Sequence, residues 1–389
     1  MKKYTLITIL LMMLFVTPSI STYGEEKEEA LNLAPDAKSA ILIERDTGEI
    51  LFDKNAHQKL SPASMTKIMT LLLVMEAIDK GNLTLNEMIR VSERASSMGG
   101  SQVFLEAGEE MSVEDLLKAI AIASGNDASV ALAERLAGSE EAFVKMMNDK
   151  AKELNLENTK FQNSSGLPAD DHYSTSYDIA VISKELLKYE TITDYTSIYE
   201  DYLRKGEENE FWLVNTNKLV RFYSGVDGLK TGYTNEAKYC LAATAKRDDM
   251  RVIAVVMGSD TVKERNATIS QMLDYAFNHF ETKKLFDKGD TITSIRLLKA
   301  ENKNIPIVAS ESVSTLYKKG ESIDDITQMV ELNETFDLPL QIGDQVGTLT
   351  VKQGDEMLSE TPLTVDQQVN EATYFTLLKR AMQSLAKHE

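Results

Sequence analysis

Ser61-Pro62-Ala63-Ser64-Met65-Thr66-Lys67 runs directly into Ile68-Met69-Thr70-Leu71-Leu72-Leu73-Val74. Ser61-Pro62 opens a helix over about 63–78, and its apolar residues lie nearly all round, which predicts a central, buried helix. Ser64 and Lys67 are three apart on one face, so the lysine amine can reach the serine hydroxyl. A serine becomes nucleophilic when a neighbouring base takes its proton. Spacing alone does not establish this. Ser384-Leu385-Ala386-Lys387 repeats it with nothing in support, and a cap serine followed by a solvated lysine would read the same way.

Around this helix the chain alternates between layers. Strands over 39–44 and 49–53 flank Arg45-Asp46-Thr47-Gly48 as a hairpin. Ser112-Val113-Glu114-Asp115 is a capping box for a helix reaching 123, where Ser124-Gly125-Asn126 interrupts it. Helices over 127–136 and 140–154 complete a cluster, and Thr175-Ser176-Tyr177-Asp178 caps another. Strands over 239–246 and 251–258 form a second hairpin before a helix over 262–280. The expected fold is therefore α/β (α+β), with a helical cluster and a largely antiparallel sheet over 39–284. Short strands at 291–298, 305–309, 313–317, 328–332 and 346–351 predict a small all-β domain over 285–366. In 367–389, Tyr374, Leu377, Leu378, Ala381, Met382 and Leu385 form one helical face, with Lys379, Arg380 and Lys387 nearby. Such an amphipathic helix lies in a membrane surface or packs on the β domain.

Lys2 and Lys3 precede an apolar run over 6–16 and then small residues, the pattern of an export signal over 1–24; a retained anchor is the alternative. Residues 25–38 read as an acidic, flexible lead. The formal charge of -19 argues against a nucleic-acid partner, which needs concentrated basic surface. Cys240 is the sole cysteine, so no intramolecular disulfide forms, and its apolar setting suits a buried thiol. His57, His172, His279 and His388 show no ligand-like spacing; no metal and no cofactor are expected.

Two further elements support Ser64. Ser124-Gly125-Asn126 lies between helices, where a hydroxyl and an amide can project into a cleft, and Lys230-Thr231-Gly232 falls on a likely edge strand. Lys67 can act as base only as a neutral amine, which burial and a second cation at Lys230 favour. Ser124 can relay a proton to a leaving amine, and Asn126 can fix the Lys67 amine or a substrate amide. Lys230 and Thr231 offer charge and a hydroxyl to a terminal carboxylate, and Gly232 lets a substrate strand approach. Backbone N–H groups of Ser64 and Tyr233 would hold the oxyanion.

With these three elements, in this order, the chain resembles the low-molecular-mass penicillin-binding proteins of the D-alanyl-D-alanine carboxypeptidase family. The likeness extends through Asn163-Ser164-Ser165-Gly166-Leu167-Pro168, Val226-Asp227-Gly228-Leu229 and Val255-Val256-Met257-Gly258. It implies a transpeptidase-type domain shared with β-lactamases, and acylation of Ser64 by the penultimate D-Ala carbonyl of a peptidoglycan stem pentapeptide. It further implies release of the terminal D-Ala, then hydrolysis, with β-lactam antibiotics as covalent inhibitors. Arg265 falls where the family places an arginine for the substrate carboxylate, a surface arginine being the alternative, and Tyr233 stands where some members have histidine. A β-lactamase of class A would add a glutamate in a Glu-x-x-Leu-Asn run, but Ala151-Lys152-Glu153-Leu154-Asn155 has alanine there. A non-catalytic binding protein of the same fold is the other alternative. The family also implies an exported enzyme held on the outer face of the cell membrane by its terminal helix, and one branch of it serves sporulation.

Overall fold

The computed structural model describes residues 31–321 and 325–385. The region read as an export signal lies outside the described residues, as do Lys387 and His388. Among the described residues no helix is long and apolar enough to cross a membrane.

The first sheet contains β1 (Ser39–Glu44), β2 (Ile50–Lys54), β3 (Val226–Thr234), β4 (Lys238–Arg247) and β5 (Met250–Ser259). Their order is β2-β1-β5-β4-β3, with every pairing antiparallel. β5 shows why this sheet is sandwiched. Ile253, Val255 and Met257 enter one apolar cluster with the helices, while Val252, Ala254 and Val256 enter another on the opposite face. Successive side chains of a strand point to opposite faces, so a continuous apolar run is what two-sided burial requires.

The first cluster is filled by α1 (Lys67–Asp79), α2 (Val113–Ala121), α3 (Asn126–Ala137), α4 (Glu140–Glu153) and α5 (Ser176–Leu186). The caps form as the sequence suggests: Ser112 Oγ accepts from Asp115 N and Thr175 Oγ1 from Asp178 N. The opposite face is covered by α6 (Val262–His279). Leu33, Ala34 and Ala37 also pack there, and Lys54 Nζ donates to the Ala34 and Pro35 carbonyls. This end of the lead expected to be flexible is therefore ordered, because its apolar residues find a sheet face despite the acidic composition before them.

A second antiparallel sheet combines β6 (Thr291–Arg296), β7 (Asn304–Ala309), β8 (Ile326–Leu332), β9 (Gln345–Gln353) and β10 (Glu356–Thr364), in the order β6-β7-β10-β9-β8. β10 was not expected from the sequence, because Pro362 sits within it. β10 pairs with β9 along its length and with β7 through Leu363 and Thr364, and the Pro362 carbonyl accepts from Ser310 N just past the end of β7. Phe280–Phe286 and Val313–Lys318 pair separately, so the chain turns to strand at Phe280, where the helical reading had ended. Tyr374–Leu385 forms α7.

Candidate active site

The expected helix start at Ala63 is a 3-10 turn, Ala63–Thr66, that passes into α1 at Lys67. In 3-10 geometry side chains at i and i+3 stack directly, which aligns Ser64 with Lys67. Ala63 has φ of 46°, so the turn is entered through a strained residue. Two glycines confine it. A Cβ on Gly166 would lie 1.9 Å from the Ala63 carbonyl oxygen, and one on Gly232 would lie 2.8 Å from that of Pro62 and 3.3 Å from Ser64 N. Both backbones therefore approach closer than any side chain permits.

Ser64 is half-buried and Lys67 fully buried. Lys67 Nζ lies 3.1 Å from Ser64 Oγ, 2.6 Å from Asn126 Oδ1 and 2.6 Å from the Ser165 carbonyl oxygen. Asn126 Nδ2 donates to the Gly99 carbonyl, which turns its oxygen to Lys67. A neutral amine has two N–H donors and one lone pair. Two oxygens without protons take the donors, so the lone pair is left for the Ser64 hydroxyl proton. The electrostatics agree: burial, then the Lys230 charge, drives the Lys67 pKa well below its usual value, with Asp127 opposing. Asp127 is itself occupied by backbone N–H groups of Val103, Leu105 and Ala128.

Ser124, in the break between α2 and α3, has φ of 65° and a buried Oγ with no hydrogen-bond partner among the described residues. Lys230 and Thr231 are buried on edge strand β3. Lys230 Nζ donates only to the Thr231 carbonyl, at 3.2 Å, among the described residues. Burial and then Arg265 lower its pKa to about 7. Arg265, in the first turn of α6, is 4% exposed, which rules out a surface arginine. Its guanidinium donates to Asn266 Oδ1 and, among the described residues, has no carboxylate partner. Burial brings it to about 10, so it stays charged at neutral pH. Lys230 and Arg265 are thus two buried basic groups with no carboxylate partner among the described residues, a setting that favours an anion beside them. Tyr233, by contrast, is exposed on the rim, its ring 4.5 Å from that of Tyr239.

The structure thus brings Lys67 into direct contact with both Ser64 and Asn126 and sets Gly232 beside the Ser64 backbone. The supporting loop 163–167 was visible in the sequence only as a likeness, with no role attached. Asn163 Oδ1 accepts from the N–H groups of Ser165, Gly166 and Leu167. Buried Glu140 accepts from Ser164 N and Oγ and pairs with Arg94 at 2.8 Å. These bonds aim the Ser165 carbonyl at Lys67. His172 was read only as a scattered histidine; its Nε2 lies 2.8 Å from Thr66 Oγ1 and its Nδ1 accepts from Gln162 N. Cys240 is buried, and burial pushes its thiol up to about 11.

Known proteins share this architecture. Residues 25–261 match the D-alanyl-D-alanine carboxypeptidase family model, and residues 280–371 match that of the penicillin-binding protein 5 C-terminal domain. The chain is 51% identical to D-alanyl-D-alanine carboxypeptidase DacF of Bacillus subtilis, over 98% of both chains. Penicillin-binding protein 5 from Haemophilus influenzae superposes with a TM-score of 0.66 at 30% identity, covering 86% of this chain and 98% of its own. The cefotaxime-bound penicillin-binding protein D2 of Listeria monocytogenes gives 0.58 at 33% identity, covering 64% of this chain and 99% of its own. With a family model matched across the whole first sheet and its helical cluster, the chain belongs to the D-alanyl-D-alanine carboxypeptidase family of serine hydrolases.

Proposed function

We propose that this serine-type D-alanyl-D-alanine carboxypeptidase removes the terminal D-alanine from peptidoglycan stem pentapeptides through an acyl-enzyme on Ser64. The observation that carries this reading is the Lys67 amine, held by two oxygens that accept its protons and turned towards Ser64. Lys67 takes the hydroxyl proton as Ser64 Oγ attacks the penultimate D-Ala carbonyl. The Ser64 N–H, beside the β3 backbone, and that of Tyr233 stabilise the oxyanion. A proton passes through Ser124 to the leaving nitrogen, D-alanine departs, and water then cleaves the ester. Lys230, Thr231 and Arg265 receive the terminal carboxylate.

β-Lactams present an acyl carbonyl and a carboxylate of the same kind, so they acylate Ser64 and inhibit. Ala151, which stands in place of a deacylating glutamate, is buried in the apolar core of α4, in keeping with a carboxypeptidase rather than a β-lactamase. Mass spectrometry with a pentapeptide and with a fluorescent penicillin tests the reading. Loss of one D-alanine and a stable label on Ser64 are expected; rapid turnover of the penicillin, or no label on Ser64, would refute it.

The protein acts, in this reading, outside the cytoplasm, on the outer face of the cell membrane. Tyr374, Phe375, Leu378 and Met382 of α7 are exposed, and Arg380 donates to the Leu298, Ala300 and Glu301 carbonyls. Arg380 therefore fastens the helix to the β domain instead of contributing to a basic lipid-facing edge. An apolar face held outward in this way supports reversible binding in the membrane interface. Removal of residues 369–389 should release the protein from vesicles containing phosphatidylglycerol; unchanged co-sedimentation would discard the anchor.

A further inference from the structure

Thr216 belongs to a segment, Asn215-Thr216-Asn217, that connects the end of α2 with edge strand β3. Its flanking asparagines are each 1% exposed and bound to backbone. Asn215 Nδ2 donates to the Thr196 and Ile198 carbonyls, and its Oδ1 accepts from Asn217 N. Asn217 Nδ2 donates to the Gly228 carbonyl of β3, and its Oδ1 accepts from Leu219 N. Thr216 N donates to the Ile122 carbonyl at the end of α2, two residues before Ser124. Fixed on three sides, the Thr216 hydroxyl lies 2.8 Å from that of Thr231, which donates to it.

A hydroxyl has one proton and two lone pairs. When the Thr231 proton turns to a carboxylate, its oxygen can accept from Thr216, so neither oxygen loses its partner. We infer that Thr216 is a positioning residue for carboxylate recognition. It accepts the Thr231 proton in the free enzyme and returns its own when Thr231 donates to the substrate. The chained bonds polarise one another, strengthening the charge-assisted bond at the end. The inference rests on Thr231 as a carboxylate ligand.

The test uses the full chain and two acyl donors: an acyl-D-alanyl thioester whose thioglycolate leaving group carries a carboxylate, and its uncharged methyl ester. Thr216→Val should raise KM for the charged donor about five- to tenfold, the worth of roughly one hydrogen bond, with kcat nearly constant. The methyl ester should be unaffected, Thr216→Ser should restore the charged donor, and Thr216→Val should add nothing in a Thr231→Val background. Equal losses on both donors, or equal losses in the serine and valine variants, would make the role merely structural and overturn the inference. If Thr231→Val leaves the preference for the charged donor intact, the carboxylate reading of Thr231 fails and takes the inference with it. If Thr231→Val abolishes that preference while Thr216→Val does nothing, only the part given to Thr216 falls.

Discussion

β3 and β8 are both edge strands of five-stranded antiparallel sheets, and their neighbours treat them differently. Most of β3 is buried, because the 3-10 turn, α1 and the 215–217 segment cover its free side. β8 is exposed along almost its whole length, with Gln328 and Glu331 interrupting Met329, Val330 and Leu332. An open edge is a liability, and polar residues such as these blunt it. A covered edge brings its own difficulty when a lysine is buried on it, since desolvating a cation without a partner is costly. The two solutions show where the molecule tolerates unfavourable local energetics, which is around Ser64.

Ser64→Ala should abolish penicillin labelling and D-alanine release, while Lys67→Met should slow acylation by at least about 10³-fold; both should remain folded by circular dichroism. Gly166→Ala forces a methyl into the Ala63 carbonyl at a φ of 85°, and should lower stability by about 3 kcal/mol and acylation by at least about tenfold. In the second sheet, Leu349→Ala should cost about 2–5 kcal/mol in denaturant melts and leave the acylation rate of the folded protein unchanged.

The pH profile gives a smaller effect. Lys230 is charged below its pKa of about 7 and neutral above it. Carboxylate capture should therefore make kcat/KM fall on the alkaline side by up to about tenfold per pH unit, whereas kcat, measured with the carboxylate holding the proton on, should fall later. Lys67 cannot cause that decline, because losing a proton from the base would raise the rate. A kcat/KM that stays flat to pH 9 would remove Lys230 from carboxylate binding. On the open edge, Val330→Lys should change stability by no more than about 0.5 kcal/mol; a large loss would show that β8 is covered in solution.

Much of the first sheet was legible in the sequence because β4 and β5 are continuous apolar runs and the helices carry recognisable caps. The short pair Met88–Arg90 with Glu110–Ser112, and the pair Glu200–Leu203 with Phe211–Val214, were not, since three or four residues carry little periodicity. In the site, Ser64, Lys67 and Asn126 could be picked out because their spacing or order is unusual. Asn163, Glu140 and Thr216 could not. They act by aiming backbone carbonyls or a neighbouring hydroxyl, and such work leaves no spacing rule in the chain. For Arg265 the resemblance pointed to a carboxylate-binding arginine but its residue pattern left a surface position open, because burial at a helix start is decided by what packs over it.

The 3-10 turn also sets a condition on anyone who would transplant this chemistry. In a regular α-helix, three residues advance the chain by about 300°, leaving the outer pair roughly 60° out of angular register; the tighter turn closes that gap. A designed helical bundle carrying Ser-x-x-Lys alone would inherit the letters without the alignment. The graft would have to bring the two glycine-lined clamps that hold the distortion in place.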